Sequence, residues 1–117
     1  MIWTRRELFQ LAAAPLVPVK APAITQVQVA PAVYPTVGHF KFFPKPERPT
    51  VLVKVTCEDG SVGWGQSVPV PTWSYETMES VLSTLENYIA PVLIGGNPFD
   101  LKGAHQAMNA AIRPSPW

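Results

Sequence analysis

The chain has 117 residues and a formal net charge of +1, which fits one small and nearly neutral domain. This balance argues against nucleic acid or an anionic membrane as a partner, because both select strongly basic proteins. Cys57 is the only cysteine, so no disulfide can form within the chain. Its alternation with Val51, Val53 and Val55 predicts a small side chain buried in a strand.

The first 23 residues have the pattern of an export signal. Arg5 and Arg6 precede an apolar run over residues 11–19, and Ala21-Pro22-Ala23 has the form of a cleavage site. The paired arginines resemble a twin-arginine signal, which predicts a periplasmic protein whose mature chain begins at Ile24. The run is too short to span a bilayer. A short amphipathic helix or a wrong start codon is the alternative, and the protein would then be cytoplasmic.

Three strands are predicted next. The first covers residues 24–33, with Pro31 marking its end at a sheet edge. A long loop without apolar periodicity follows over residues 34–48. The second strand covers residues 50–57, and the third begins at Val62 after a turn centred on Asp59-Gly60. Gly63 and Gly65 share one face of that strand and leave room for another element to approach.

Two amphipathic helices follow the strands. Ser74 is the expected N-cap of the first helix, and Pro91 is expected to end or kink it. Asn97 is the expected N-cap of the second helix, with Pro98 and Asp100 in its first turn. The apolar stripes are Met78, Val81, Leu82, Leu85 and Ile89 in the first helix, and Leu101, Ala104, Met108 and Ile112 in the second. The predicted fold class is therefore α+β, a three-stranded antiparallel sheet followed by two helices.

Two sequence segments resemble a known family. The hairpin Thr56-Cys57-Glu58-Asp59-Gly60-Ser61-Val62-Gly63-Trp64-Gly65-Gln66 is similar to the TxDGxxGWGE hairpin of enolase-superfamily enzymes of the mandelate racemase/muconate lactonising subgroup. Tyr88-Ile89-Ala90-Pro91-Val92-Leu93-Ile94-Gly95 and Asn97-Pro98-Phe99-Asp100 follow in the order found in the N-terminal capping domain of those enzymes. The resemblance covers residues 24–112, and Gln66 stands where the family has glutamate.

The resemblance implies that residues 24–117 are a truncated capping domain whose catalytic TIM-like barrel is absent from this chain. In the family, the barrel carries the acid and base groups and the carboxylates that hold Mg²⁺, and the reaction begins by removing a proton α to a carboxylate. No catalytic residue and no metal ligand is therefore expected here, and the fragment alone is expected to be inactive. The implied partners are the barrel of the same protein and a small carboxylate substrate, and the complete racemase, epimerase, cycloisomerase or dehydratase is expected to be a homo-oligomer.

The resemblance also implies that two loops of the capping domain close over the substrate. The candidate contacts are His39, Phe40, Lys41 and Phe42 in the first loop, and Ser67, Thr72 and Trp73 in the second. Lys41 or His39 could pair with a substrate carboxylate or with a polar distal group of the substrate, while Phe42 and Trp73 could form an apolar wall. Because the first loop has no apolar stripe of its own, it is predicted to be mobile and unable to bury its aromatic rings locally. His105, on or beside the second helical stripe, is predicted to have a packing or boundary role.

A different function class stays open at this point. The chain could be a secreted, stand-alone α+β binding module without catalytic activity. The sequence that follows the Trp117 codon discriminates the two hypotheses, since a barrel would show Lys-x-Lys and spaced Asp/Glu ligands.

Overall fold

The computed structural model describes residues 20–113, so Arg5, Arg6 and the rest of the predicted signal up to residue 19 lie outside the described residues. Three antiparallel strands form one sheet in the order β1-β2-β3. They are β1 (Ile24–Pro35), β2 (Glu47–Cys57) and β3 (Val62–Ser67). The predicted α+β class and strand order are confirmed.

The strand β1 is longer than predicted. It pairs with β2 as far as Pro35, opposite Glu47, and Pro31 lies within the ladder opposite Val51. Proline is tolerated there because β1 is an edge strand, where an amide that faces away from the sheet has no ladder partner to lose. The connection to β2 is therefore shorter than the predicted loop of residues 34–48 and covers residues 36–46.

The turn between β2 and β3 has the predicted chemistry. Gly60 has a φ of 83°, a left-handed conformation that glycine adopts without steric cost. The Asp59 Oδ1 atom accepts hydrogen bonds from the Ser61 hydroxyl at 2.6 Å and from the Ser61 amide at 2.9 Å. These two donors, the hydroxyl first, lower the pKa of Asp59 from its ordinary value of 3.8.

The helical layer starts later than predicted. A short helix α1 (Pro71–Ser74) precedes α2 (Met78–Thr84). Thr77, not Ser74, is the N-cap of α2, and Thr77 and Ser80 form a reciprocal capping box. The Ser74 hydroxyl is used elsewhere, since it accepts from the amide of Val70 and donates to its carbonyl.

Pro91 does not end the first long helix. After α2 the chain widens into a π-helical turn (Leu85–Ile89) and continues as α3 (Ala90–Leu93). The Ala90 amide donates to the Leu85 carbonyl, five residues back. A π-turn inserts one extra residue and so accommodates a ring that would clash in a regular α-helix.

The last helix, α4 (Leu101–Ala111), also begins later than predicted. Asp100 is its N-cap and accepts from the Gly103 amide, while Asn97 forms a local turn by accepting from the Phe99 amide. The predicted apolar stripe is only partly buried, because Leu101 is 70% exposed. His105 is exposed, so its predicted packing role was wrong.

The first strand is hydrogen-bonded to the turn between α3 and α4. The Ile24 amide donates to the Gly96 carbonyl at 3.0 Å, and the Gly95 amide donates to the Ile24 carbonyl at 2.7 Å. The Ala23 carbonyl accepts from the Glu58 amide at 2.9 Å. These bonds hold the start of β1 on both sides.

The most deeply buried strand residues lie in the N-terminal half of β2. Thr50 and Val51 are both fully buried, and neighbouring strand residues point to opposite faces. Both faces of β2 are therefore covered there. The other buried side chains are Ile24, Phe43, Cys57, Pro69, Val70, Val81 and Ala90. The buried position predicted for Cys57 is confirmed, and no described helix is long and apolar enough to cross a membrane.

Candidate functional site

The first candidate loop, residues 36–46, is closed by hydrogen bonds at its base. The Thr36 amide donates to the Pro46 carbonyl at 3.0 Å, and the Thr36 hydroxyl donates to the Gly38 carbonyl at 2.6 Å. The Phe43 amide donates to the Phe40 carbonyl at 3.0 Å, which defines a β-turn with Lys41 and Phe42 at its tip. The loop is therefore built around an internal turn.

A histidine bond and a buried ring reinforce this turn. The His39 Nε2 atom lies 2.7 Å from the Phe43 carbonyl oxygen. Since a carbonyl can only accept, Nε2 carries the proton. The Phe43 side chain is only 8% exposed. The prediction that this loop cannot bury its aromatic rings was wrong for Phe43, because the turn folds that ring back against the domain.

A cation that the sequence prediction did not include lies against two of these rings. The Arg48 guanidinium carbon is 5.1 Å from the centroid of the Phe40 ring and 5.8 Å from that of Phe43. Both distances are within the range of cation–π attraction. Basic residues interleaved with aromatic ones over residues 39–48 were the available sequence signal, but spacing alone could not assign Arg48 to particular rings.

The second candidate loop follows β3 and is anchored by buried residues. Pro69 and Val70 are buried, and the amides of Trp73 and Ser74 both donate to the Val70 carbonyl. Pro71 at the start of α1 has the fixed φ that suits the first turn of a helix. This short helix projects Trp73, which is 70% exposed, away from the core.

The two loops meet through one pair of aromatic rings. The Phe42 and Trp73 ring centroids are 6.1 Å apart and the ring planes differ by 15°, an arrangement within the range of aromatic pairing. The Lys41 Nζ atom lies 5.3 Å from the Phe42 centroid. Phe42 is 49% exposed, so this pair, named here the aromatic wall, presents apolar surface to solvent beside a positive charge.

The remaining predicted contacts have different positions. Phe40 is half exposed and lies against Arg48, and Thr72 is an exposed residue of α1. Ser67 ends β3 opposite Val51, and its carbonyl accepts from the Thr50 hydroxyl at 3.0 Å. The Ser67 side chain borders a small cleft of about 190 Å³ together with Glu76 and Ser80. The structure therefore brings Lys41, Phe42 and Trp73 together and gives Ser67 a different neighbourhood.

A larger apolar cleft lies between β3 and α4. Its volume is about 540 Å³, and its lining includes Val53, Val55, Phe99 and Met108. Gly63 and Gly65 also border it, and no described atom lies within 4 Å of an ideal Cβ at either glycine. The room that these glycines were predicted to leave is thus open among residues 20–113.

The described residues do not fit a magnesium site. Within residues 20–113, no group of three His, Cys, Asp or Glu side chains could hold a metal ion. Hard divalent cations require several converging oxygen ligands. No step of a metal-dependent reaction is therefore assigned to these residues.

The sequence matches the family of mandelate racemase / muconate lactonizing enzyme N-terminal domains over residues 21–115. The chain belongs to this family. This membership confirms the resemblance to the capping domain of the enolase superfamily that the Asp59-Gly60 hairpin and the Asn97-Pro98-Phe99-Asp100 segment indicated.

Curated relatives of the family are much longer than the part that matches. The chain is similar to the N-succinyl-L-Arg/Lys racemase of Bacillus cereus, with 32% identity over 66 residues, which are 56% of this chain and 18% of that protein. It is also similar to the chloromuconate cycloisomerase of Cupriavidus pinatubonensis, with 41% identity over 63 residues, which are 53% of this chain and 17% of that protein. The chain thus spans less than a fifth of the length of these relatives.

Solved structures of the family have the same fold. The dipeptide epimerase from Enterococcus faecalis, complexed with Mg and the dipeptide L-Leu-L-Tyr, matches with a TM-score of 0.70 and 26% identity, over 80% of this chain and 27% of that chain. The N-succinyl Arg/Lys racemase from Bacillus cereus matches with a TM-score of 0.69 and 27% identity, over 77% of this chain and 25% of that chain.

Proposed function

We propose that residues 24–117 are the substrate-selecting lid of a Mg²⁺-dependent enzyme that removes a proton α to a carboxylate. The observation that carries this proposal is the stack of Phe42 on Trp73. It joins two loops, separated in sequence by all of β2 and β3, into one apolar surface. A lid of this kind excludes water from the reacting atoms and selects substrates by shape.

The polar part of the lid is assigned to Lys41. Its ammonium group lies beside the exposed wall, where it can approach an anionic substrate without crossing the core. His39 is the weaker candidate for that role, because its Nε2 atom already donates to the Phe43 carbonyl. Lys41 therefore supplies charge, while Phe42 and Trp73 supply apolar contact.

The chemistry itself is assigned to a barrel elsewhere in the protein, which would hold Mg²⁺ and the acid and base groups. The length of the relatives supports this division, because they are several times longer than the match. The similar proteins named above act on N-succinyl amino acids, dipeptides and chloromuconate, all of which carry carboxylates. A racemase, epimerase or cycloisomerase acting on such a substrate is proposed for the complete protein, and its homo-oligomeric state stays a prediction.

The test begins with the transcript beyond the Trp117 codon and with the protein that it encodes. That protein, incubated in D₂O with a panel of N-succinyl amino acids and dipeptides, should incorporate deuterium at the α-carbon when Mg²⁺ is present and stop when EDTA is added. Absence of a barrel-coding sequence, together with secretion of residues 24–117 as the final product, would instead favour the stand-alone binding module. Micromolar one-to-one binding of Mg²⁺ by the 117-residue chain in calorimetry would contradict the assignment of the metal to the barrel.

The paired Arg5 and Arg6, followed by an apolar run, support the further proposal that the protein is exported to the periplasm by the twin-arginine route.

A further inference from the structure

Arg48 lies at the base of the first loop, where its charge has an unusual environment. It is the second residue of β2 and pairs with Tyr34 of β1. The side chain is half-buried. Its Nε atom is shielded from solvent and has no hydrogen-bond partner in the structure. Burying an N–H donor without an acceptor is unfavourable, so other contacts must hold the guanidinium group in this position.

The rings of Phe40 and Phe43 supply those contacts. The Arg48 guanidinium carbon lies 5.1 Å and 5.8 Å from their centroids. A guanidinium group is planar and weakly hydrated, so it packs against aromatic rings more readily than a strongly hydrated ammonium group does. Arg48 therefore links the two rings that bracket the tip of the loop.

The geometry of the tip depends on these two residues. The Phe43 amide donates to the Phe40 carbonyl, and Lys41 and Phe42 are the central residues of the turn so formed. Fixing Phe40 and Phe43 thus fixes the direction in which Phe42 leaves the turn. Phe42 then meets Trp73 of the second loop.

We propose that Arg48 is the positioning residue of the aromatic wall: by holding Phe40 and Phe43, it sets the turn that places Phe42 against Trp73. Its consequence for substrate selection rests on the proposed lid function, whereas its structural effect does not. Arg48 is not assigned to the substrate itself, since its Nε atom is shielded from solvent.

The structural test uses the 117-residue chain and nuclear magnetic resonance. In Arg48→Gln, the Phe43 amide should exchange with solvent about tenfold faster, and the nuclear Overhauser contacts between the Phe42 and Trp73 rings should be lost. Arg48→Lys keeps the charge without the planar group, so its Phe43 exchange rate and its ring contacts should be intermediate between those of the unmodified chain and those of Arg48→Gln. Lys45→Gln is the matched control, because it removes a cation from the same loop and should leave both readouts unchanged.

The Val53 amide in the central strand serves as an internal reference for global unfolding. The proposal is overturned if Arg48→Gln keeps the ring contact and the protection of Phe43. It is equally overturned if protection falls by the same factor at Val53, because Arg48 would then stabilise the whole domain rather than the turn.

A second readout separates this inference from the lid function. In the barrel-bearing protein, Arg48→Gln should raise KM several-fold and change kcat little, and Arg48→Lys should restore part of the affinity. Unchanged KM together with a lost Phe42–Trp73 contact would leave Arg48 as the positioning residue and refute the lid function instead.

Discussion

The Phe42 and Trp73 rings stack at a centroid distance of 6.1 Å although 30 residues separate them in the chain. Neither ring belongs to the core, because more than a third of each is exposed. An exposed aromatic pair that is held by local turns is suited to contacting a ligand. Substitutions at these two rings can therefore distinguish an effect on substrate specificity from an effect on the free energy of unfolding.

Phe42→Ala and Trp73→Ala should each reduce the stability of the 117-residue chain only modestly, and a double-mutant cycle should give a coupling free energy of about 0.5–1.5 kcal/mol. Urea denaturation followed by circular dichroism measures it. In the barrel-bearing protein, each variant should change substrate discrimination by about 1–3 kcal/mol. Phe99→Ala, at a ring that is also exposed, is the matched control. Losses of several kcal/mol with unchanged substrate preference would assign the two rings to the core.

Thr77→Ala should destabilise the domain by about 1 kcal/mol, since the hydroxyl that caps α2 at the Ser80 amide is lost. Thermal or urea unfolding is the measurement. Thr72→Ala, at an exposed residue of the preceding helix, should change the free energy of unfolding by less than about 0.5 kcal/mol. Equal effects of the two substitutions would show that the capping box contributes little.

Val51→Ala should lower the free energy of unfolding by about 2–3 kcal/mol, because it removes two methyl groups from a fully buried site and leaves a cavity. Val62→Ala makes the same chemical change on the adjacent strand, where the side chain is 43% exposed. The control should cost under about 1 kcal/mol. Comparable losses would mean that the core does not lie where the sheet is covered on both faces.

The Asp59 carboxyl should titrate below its ordinary pKa of 3.8, since the Ser61 hydroxyl and amide donate to its ionised form. The depressed pKa means that this contribution to stability is fully present above pH 3.8 and is lost as the pH falls through the lower folded pKa. Carbon-13 titration of the carboxyl group measures the shift. Ser61→Ala should move the pKa back towards its ordinary value, and an unchanged pKa would remove the hydroxyl as the main cause.

Replacing both Arg5 and Arg6 by lysine should leave the protein uncleaved in the cytoplasm, because the twin-arginine route distinguishes guanidinium from ammonium pairs. Cell fractionation and mass spectrometry of the N-terminus are the readouts. Lys20→Arg, outside the pair, should be exported normally. Normal export of the double lysine variant would refute the targeting proposal.

Local chemistry determined which features could be predicted from the sequence. The hairpin at Asp59 and Gly60 was predictable because its hydrogen bonds join residues two to four apart. The N-cap of α2 was misassigned because Ser74 and Thr77 are both good caps, and only the contact of Ser74 with Val70 decides between them. The π-turn before Pro91 was not predicted, because a proline in a helical pattern can end the helix, kink it or be accommodated by a π-turn.

The candidate site was predictable only in part for the same reason. The sequence indicated two aromatic loops, and the prediction that Phe42 and Trp73 could line a common wall agrees with their stacking. The contacts of Arg48 were missed because they depend on where the folded loop places the rings of Phe40 and Phe43. Whether these residues bind substrate stays a prediction.

If residues 1–23 are removed as the proposed export signal, the hydrogen bonds at the start of β1 affect when this cleavage can take place. The peptide bond between Ala23 and Ile24 lies between two backbone anchors, one to Glu58 and one to Gly96. A protease can cleave that segment only when it is locally open. The cleavage rate therefore depends on the population of the state in which these hydrogen bonds are broken. If the domain folds before it crosses the membrane, as twin-arginine cargo does, cleavage at this bond requires local opening of the folded strand. Removal of the signal would then be slow, and its rate would depend on the strength of the hydrogen bonds that Ile24 makes with Gly95 and Gly96.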